Sequence, residues 1–176
     1  MTMRSPAAVF LAMVVVASPL LASSQPMPAP HTNNSRLEKA YVALQALKRA
    51  ITDDPKNLTR NWCGPDVCSY YGVFCATAPD DPCARTVASV DLNHGDLAGT
   101  LPEELGLLSD LAVFHLNSNR FCGVLPDTFL HLRLLHELDI SNNRFVGGFP
   151  TVVLADRKST RLNSSHRSLS RMPSSA

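Results

Sequence analysis

The sequence lacks a run of apolar residues long enough to cross a membrane. A membrane-spanning helix needs roughly 20 such residues, whereas the longest run, residues 7–21, is shorter and is interrupted by a Ser-Pro pair. Arg4 precedes this run, and small residues and then Gln25 follow it. That order is typical of a secretory signal peptide. We therefore expect residues 1–24 to be a cleaved signal peptide and the protein to be secreted.

Basic clusters are also missing from the segment that follows. Residues 25–155 hold 10 basic and 14 acidic side chains, a net charge of −4. Nucleic-acid-binding surfaces are basic and clustered, so we expect no nucleic-acid partner. A mildly acidic extracellular domain favours cationic ligands instead.

The last segment, residues 156–176, differs from the rest in composition. It carries five basic side chains and one acidic side chain, and it is polar without a clear period. One interpretation is a disordered tail. The same residues also match the conceptual translation of a standard short-read sequencing adapter. We therefore expect residues 156–176 to be a non-native, adapter-derived tail and leave them out of the fold prediction.

After the signal peptide, the residue pattern predicts a linker and then a helix. Residues 25–35 have three prolines at alternate positions and little apolar bulk, which is typical of an extended linker. Apolar residues then recur at steps of three and four, which predicts a helix that Ser35 caps and that ends at Asp53–Pro55. The predicted buried face holds Leu37, Ala40, Tyr41, Leu44, Leu47 and Ile51.

An internal repeat follows, with copies that begin at positions 87, 111 and 135. Residues 87–110, 111–134 and 135–154 align without a gap. The shared glycines and prolines are Gly99, Gly123, Gly147, Pro102, Pro126 and Pro150. The shared apolar columns are Val90, Phe114 and Leu138; Leu92, Leu116 and Ile140; Leu97, Phe121 and Phe145; Leu101, Leu125 and Phe149; Leu105, Phe129 and Val153. Because such coils bury their apolar residues only against neighbouring coils, the pattern predicts an α/β solenoid.

Two asparagines and the lack of a C-terminal cap add detail to the predicted solenoid. Asn119 and Asn143 occupy the position whose side-chain amide bonds backbone groups that the coil buries, and Gly95 replaces them in the first copy. No polar C-terminal cap follows the third copy. We therefore expect a truncated solenoid that self-associates, for example as a homodimer.

The five cysteines of an exported chain predict disulfides rather than reduced thiols. The first four are Cys63, Cys68, Cys75 and Cys83. The first two have a C-x4-C spacing that allows a zinc site, but the later spacings of seven and eight residues fit no common zinc pattern. We expect no metal and no cofactor. The fifth, Cys122, is either buried and inert or joined to another chain.

The repeats resemble the plant-specific class of leucine-rich repeats, through Leu-x-x-Leu-x-Leu-x-x-Asn-x-Leu/Phe-x-Gly-x-Leu/Phe-Pro. Residues 62–75, which include Cys-Ser-Tyr-Tyr-Gly-Val-Phe-Cys, look like the N-terminal cap of that class. The resemblance implies a cap over residues 36–86 and repeats over residues 87–154. The match is closer still to the leucine-rich repeat extensins, in the segments Ala40–Lys48, Gly64–Cys68, Asp91–His94, His115–Gly123 and Ser141–Gly147.

This resemblance implies a secreted, non-enzymatic protein of the plant cell wall. Its repeat domain would bind small basic signalling peptides of the rapid alkalinization factor type. A hydroxyproline-bearing extensin region, rich in Ser-Pro, would attach to wall polymers and assist wall assembly, but this sequence does not contain it. Two other functions stay open: the ectodomain of a leucine-rich repeat receptor kinase, and a free-standing inhibitor of wall-degrading enzymes.

Two disulfides and two glycosylation sites are expected in the cap and the segment before it. A bridge between Cys68 and Cys75 would pin the cap over the first coil, and Cys63 and Cys83 are the expected second pair. Asn33 and Asn57 each begin an Asn-x-Ser/Thr tripeptide, which makes them N-glycosylation candidates in an exported chain.

Residues that alternate with the core leucines share one surface, the concave face of the solenoid. Its candidate ligand contacts are Asp91, His115, Asn117, Glu137 and Asp139. A histidine between two aspartates could serve as a general base or a metal ligand, but no nucleophile or cleft accompanies it. Solenoid faces usually bind macromolecules. We therefore expect the carboxylates to attract a cationic peptide, the alternative being a solvated face without a ligand.

Overall fold

A computed structural model describes residues 35–148 and the backbone of residues 161–163. The predicted signal peptide, Asn33 and the end of the third repeat, including Phe149 and Val153, lie outside the described residues. No helix in the described part of the chain is long and apolar enough to cross a membrane.

Within the described residues, the chain forms one α-helix, nine strands and three short 3-10 helices. In chain order these are α1 (Ser35–Ala50), β1 (Ile51–Asp53), η1 (Val67–Ser69), β2 (Val73–Ala78), β3 (Asp81–Asp91), β4 (Ala98–Gly99), η2 (Glu103–Leu107), β5 (Val113–His115), β6 (Arg120–Gly123), η3 (Asp127–His131), β7 (Glu137–Asp139), β8 (Arg144–Phe145) and β9 (Arg161–Asn163).

Helix α1 starts at Ser35, the residue predicted as its N-cap, but it ends earlier than predicted and buries a partly different face. Ala40, Leu44 and Leu47 are buried as expected, whereas Tyr41 is partly exposed. Small alanines complete the buried face instead, since they permit close packing against the first coil. The helix ends at Ala50, because the next three residues form β1 and pair with β4.

The strands form two sheets that run along the repeats. The larger sheet has the order β2-β3-β5-β7-β9, in which β2 and β3 are antiparallel and the others are parallel. The smaller sheet has the order β1-β4-β6-β8. The parallel strands pair at a constant offset of one repeat, as in the pairing of Val90 with Phe114 and of Phe114 with Leu138. The predicted α/β solenoid is therefore confirmed.

The predicted apolar columns form one continuous core. Every described member of the five columns is buried, and fully buried phenylalanines stand at Phe114, Phe121, Phe129 and Phe145. Pro102 and Pro126 precede η2 and η3 in extended conformations, so each proline ends the extended stretch and starts a 3-10 helix. Each coil thus has a strand on one side and a short helix on the other.

The two asparagines make the hydrogen bonds that the sequence predicts. The Asn119 amide accepts from Leu97 N–H at 2.8 Å and donates to the carbonyl oxygens of Leu92 and Leu116 at 2.8 and 2.9 Å. Asn143 repeats this pattern one coil later, accepting from Phe121 N–H at 2.9 Å. These side chains therefore satisfy backbone groups that the solenoid buries where no strand partner is available.

Two glycines of the first coil allow the cap to pack closely. A Cβ atom on Gly95, which replaces the asparagine, would lie 2.8 Å from Leu58 Cδ1 and 3.0 Å from Asn119 Oδ1. A Cβ atom on Gly99 would lie 2.3 Å from the carbonyl oxygen of Ala50. The first coil thus departs from the repeat pattern where it meets the end of α1 and the loop after it.

Trp62 anchors the loop between α1 and β2. Its side chain is fully buried, stacks on Tyr70 with ring centroids 5.5 Å apart, and donates from Nε1 to the Tyr71 carbonyl at 2.9 Å. Lys48 Nζ donates to the Trp62 carbonyl at 2.8 Å, and the Tyr70 hydroxyl donates to the Gly64 carbonyl at 2.6 Å. Burial raises the pKa of Tyr70, since the phenolate would lose its hydration.

The cysteines confirm one predicted bridge and correct the other. Cys68 and Cys75 form a disulfide. Cys63 and Cys83 are both free and exposed, so the predicted second pair is not formed. Cys63 lies in the loop between β1 and η1, whereas Cys83 lies near the tip of the β2–β3 hairpin, four residues beyond the Val87 that pairs with Cys75.

Cys122 is also free and exposed among the described residues. The interpretation of this cysteine as a buried, inert side chain is therefore wrong. It lies on β6 opposite Arg144 of β8, and its neighbour Phe121 takes the core position instead.

Strand β9 lies within the segment interpreted as an adapter-derived tail. Its three residues pair in parallel with β7, with Leu162 at the register position of Leu138. The offset is again that of one repeat, although the sequence there shows no clear period.

Candidate ligand-binding face

The candidate site is the face of the larger sheet that points away from the core. Val90, Phe114 and Leu138 are buried, so the residues next to them on β3, β5 and β7 point to the opposite side. One row across the strands holds Ser89, Val113 and Glu137, and the next holds Asp91, His115 and Asp139. The structure therefore brings the predicted residues together on one surface.

His115 lies between two carboxylates, but one of them is not the predicted residue. Its Nδ1 lies 3.7 Å from Asp91 Oδ2, and its Nε2 lies 3.1 Å from Glu137 Oε1. The second contact has the distance of an ion pair without hydrogen-bond alignment, and Nε2 has no hydrogen-bond partner among the described residues. Glu137 thus takes the place expected for Asp139, because its longer side chain reaches diagonally to the neighbouring strand.

Asp139 is held by its own chain instead. Its Oδ1 accepts from the backbone N–H of Ser141 at 3.0 Å and from the Ser141 hydroxyl at 2.5 Å. Asp91 makes the equivalent local contact, since its Oδ1 accepts from Asn93 N–H at 3.0 Å. In both strands a carboxylate closes the turn that follows, and Asp139 is oriented toward this turn.

A chain of amide and hydroxyl contacts continues along the same face. Asn117 N–H donates to Asn93 Oδ1 at 2.6 Å, and Asn117 Nδ2 donates to the Ser141 hydroxyl. The Ser118 hydroxyl donates to Asn117 Oδ1 at 2.5 Å. Asn117, a predicted ligand contact, therefore has several internal partners, and its first role is to connect three coils.

The turn after each strand has a left-handed residue at the same repeat position. These residues are His94, Ser118 and Asn142, with φ values of 55°, 59° and 53°. Polar residues with short side chains tolerate this region better than branched ones. The recurring turn carries the chain from the concave face back into the coil.

The exposed carboxylates give this face its acidic character. The side chains of Asp91 and Glu137 are 43% and 39% exposed, and that of His115 is 20% exposed. Both carboxylates are thus open to solvent while they flank a half-buried ring. Such a surface can attract a cation.

The described residues of this face hold no metal-binding cluster. No group of three or more His, Cys, Asp or Glu residues in the described ranges could hold a metal ion. A groove of about 650 Å³ lies elsewhere, between the start of α1, the β2–β3 turn and the ends of η2 and η3. The concave-face carboxylates do not line that groove.

Two arginines that no sequence pattern indicates connect the cap to the repeats. Arg36 of α1 donates to Asp110 and to Asp80, the latter at 2.7 Å, and these partners raise the pKa of Arg36. The same contact lowers the pKa of Asp80, since it favours the carboxylate. The partners are 44 and 74 residues away in sequence. No repeat or motif indicates contacts at such separations.

Arg120 makes the second connection, on the other sheet. Its guanidinium donates to Asp96 and Asp53, both at 2.7 Å, and these contacts raise the pKa of Arg120. Asp53 belongs to β1, Asp96 precedes β4, and Arg120 begins β6. The pair of carboxylates therefore holds the cap strand to the first two coils.

The described glycosylation candidate, Asn57, lies in a turn after α1. Asn57 is exposed and has a φ of 53°. Thr59 of the same tripeptide is buried, and its hydroxyl donates to Asp54 Oδ2 at 2.9 Å. The acceptor side chain is thus accessible, while the threonine that enzymatic glycosylation requires is engaged in the folded turn.

Two family models and several known proteins match the chain. A leucine rich repeat N-terminal domain matches residues 39–76, and a leucine rich repeat matches residues 134–154. Leucine-rich repeat extensin-like protein 5 of Arabidopsis thaliana is 66% identical over 84 residues, which cover 48% of this chain and 10% of the relative. Leucine-rich repeat extensin-like protein 3 of the same organism is 64% identical over 90 residues, covering 51% and 12%.

Solved structures of plant repeat ectodomains are also similar. The PEPR1–AtPEP1 complex matches with a TM-score of 0.59 at 25% identity, covering 74% of this chain and 17% of that chain. The Arabidopsis receptor kinase HAESA, in complex with the peptide hormone IDA and the co-receptor SERK1, matches with a TM-score of 0.52 at 29% identity. That match covers 64% of this chain and 18% of the HAESA chain.

These matches agree with the solenoid geometry and define the class: the chain is a plant-type leucine-rich repeat protein with a helical, disulfide-stapled N-terminal cap. Within that class, the chain is similar to the leucine-rich repeat extensin-like proteins, as the sequence resemblance predicts. It spans only 10% and 12% of the length of the two relatives described above.

Proposed function

We propose that the concave face binds small basic peptides outside the cell and performs no enzymatic reaction. The observation that carries this proposal is the pair of exposed carboxylates, Asp91 and Glu137, that flank His115 on three adjacent strands. A cationic side chain placed over this group would contact two carboxylates at once. Complementary charge of this kind favours encounter and specificity.

The comparisons support a peptide as the class of ligand. HAESA carries the same fold and is described in complex with a peptide hormone. The acidic character of the present face narrows the ligand to a basic peptide, and the resemblance to leucine-rich repeat extensins points to the rapid alkalinization factor type. The identity of 61–66% to extensin-like proteins favours this function over that of a receptor-kinase ectodomain or an enzyme inhibitor.

The protein would act at the plant cell wall. The extensin-like relatives support a secreted location, attachment to wall polymers and a role in wall assembly.

Asn57 would carry an N-linked glycan, and an Asn57→Gln variant of the secreted protein should lose a glycosidase-sensitive mass shift. A secreted protein with an unmodified Asn57 would contradict this assignment.

Residues 156–176 are proposed to be non-native. The transcript, amplified from its source and sequenced across codon 155 without adapter ligation, should continue into further repeats of the same period and a Ser-Pro-rich region. A transcript that encodes the present tail followed by a stop codon would overturn this proposal and would make β9 a genuine strand of the protein.

The central test neutralises three carboxylates of the concave face. Its effect on peptide binding is compared with that of neutralising three carboxylates elsewhere on the surface. The variant Asp91→Asn/Glu137→Gln/Asp139→Asn removes three negative charges from the concave face. The control Glu103→Gln/Glu104→Gln/Asp127→Asn removes three from the exposed starts of η2 and η3. Calorimetric titration with a synthetic Lys/Arg-rich peptide measures both at low and physiological salt.

The concave-face variant should bind at least about tenfold more weakly and lose most of its salt dependence. Each of the three lost contacts contributes a fraction of a kcal/mol, and together they reach the roughly 1.4 kcal/mol of a tenfold change. The control should keep the wild-type affinity. Equal weakening in both variants would indicate non-specific attraction, and unchanged binding in the concave-face variant would exclude the site.

A further inference from the structure

Phe74 is an exposed aromatic residue on the edge of the same sheet. It lies on β2 and pairs with Ser89, while its neighbour Val73 pairs with Val90. Val73 and Val90 are buried, so Phe74 and Ser89 point to the opposite, concave side. The Phe74 residue is 58% exposed, although β2 contributes to the core through Val73.

Phe74 begins a row that crosses the sheet to the carboxylates. The row runs from Phe74 through Ser89 and Val113 to Glu137, one residue on each of four neighbouring strands. Strands lie roughly 4.8 Å apart, so Phe74 and Glu137 are roughly 14 Å apart along the row. This row therefore has an apolar residue at its cap end and an acidic residue at β7.

We infer that Phe74, with Val113 two strands further along the row, forms an apolar subsite that fixes the direction of the bound peptide. This inference rests on the proposed function, because the peptide must also reach the carboxylates. An extended peptide advances roughly 3.3 Å per residue, so about four residues separate its apolar side chain from the basic side chain over Glu137. The ligand class is thus a basic peptide with an aromatic or large aliphatic residue at that distance.

Charge complementarity favours a basic peptide as the occupant of this row. The acidic end of the row needs a cation, and the apolar end needs a side chain that removes Phe74 from water. Aromatic residues of this kind contribute strongly to binding when a ligand desolvates them. One ligand that carries both groups at the stated spacing satisfies the whole row.

The test uses a panel of synthetic peptides and three single variants. Each peptide carries the same Lys-Arg pair, and a leucine lies two, four or eight residues from it, or is replaced by serine. The variants are Phe74→Ser, the conservative Phe74→Leu, and Val124→Ser as a control at an exposed valine away from this row. Dissociation constants and the state of association are measured for every pair.

The wild type should bind the four-residue spacing about tenfold more tightly than the serine peptide. Phe74→Ser should abolish that difference, Phe74→Leu should retain most of it, and Val124→Ser should keep all of it. A Phe74→Ser variant that weakens all peptides equally, or none, would overturn the inference. A variant that only dissolves self-association would also overturn it and identify a contact between copies.

The results distinguish a failure of this inference from a failure of the proposed function on which it rests. If the triple carboxylate variant abolishes binding while Phe74→Ser does not change the preference for spacing, the peptide site stands without the apolar subsite. If no basic peptide binds the wild type, the proposed function fails and the subsite fails with it.

Discussion

The segment before the repeats and the repeats themselves are stabilised in different ways. Residues 35–86 depend on contacts that occur once, such as the Trp62–Tyr70 stack, the Cys68–Cys75 bridge and the ion pairs of Arg36. Residues 87–148 repeat the same contacts from coil to coil, in the apolar columns and in the buried asparagine amides. A repeated contact is visible in the sequence, and a contact that occurs once is not.

The largest effect is expected from Trp62 in the first region. Trp62→Ala should lower the free energy of unfolding by about 3–5 kcal/mol, because it leaves a large cavity and removes a ring stack. Trp62→Phe keeps an aromatic ring but loses the bond to the Tyr71 carbonyl and part of the buried volume, so its loss should be smaller than that of Trp62→Ala. Urea unfolding followed by circular dichroism measures both. Equal losses would show that the hydrogen bond rather than the packing matters.

A slightly smaller effect is expected from Asn119 in the repeats. Asn119→Ala leaves one N–H group and two carbonyl groups without their side-chain partner, which should cost roughly 3 kcal/mol. Asn119→Leu restores the volume without the hydrogen bonds and should not recover the stability. If Asn119→Leu were as stable as the wild type, packing rather than backbone satisfaction would explain the position.

Removal of the disulfide should have a moderate effect on the first region. Cys68→Ala/Cys75→Ala should lower the free energy of unfolding by about 2–3 kcal/mol, since the bridge closes a short loop in the unfolded chain. Cys63→Ala/Cys83→Ala should change it little, because both thiols are free and exposed. Thermal unfolding of both variants, with and without reductant, measures these effects. A large loss in the second variant would restore the predicted second bridge.

The smallest effect is expected at the ion pair between Arg36 and Asp80, within the first region. Arg36 lowers the pKa of Asp80, so the contact contributes stability above the ordinary pKa of 3.8 and loses it as the pH falls through the lowered value. Asp80→Asn should be slightly less stable than the wild type at pH 6, and the difference should vanish near pH 2. A difference that persists at acid pH would assign the effect to something other than ionisation.

The same contrast explains what could be predicted from sequence. The columns, the asparagine bonds and the register of the rows follow from the period, because each copy confirms the others. The period does not predict the exposure of Tyr41, the free thiol of Cys83 or the ion pairs of Arg36, because these depend on how single segments pack together. On the concave face the period places His115 between Asp91 and Asp139, but side-chain length decides that Glu137 makes the contact.

Phe74 shows the same limit from the functional side. It lies in the cap motif, two residues after Gly72, and no repeat column contains it. The register of β2 against β3 is what places it at the end of a row that leads to Glu137. The position of this exposed aromatic residue on the edge strand, at the end of the row, can therefore be recognised only in the folded sheet.

Carboxylate footprinting of the peptide complex tests the central claim most directly. A water-soluble carbodiimide labels accessible carboxylates, and mass spectrometry measures the label at each residue with and without a basic peptide. We predict that the peptide protects Asp91 and Glu137, while the exposed Glu103 and Glu104 of η2 are labelled as before. Protection of Glu103 and Glu104 with unchanged labelling of Asp91 and Glu137 would contradict a peptide site on the concave face.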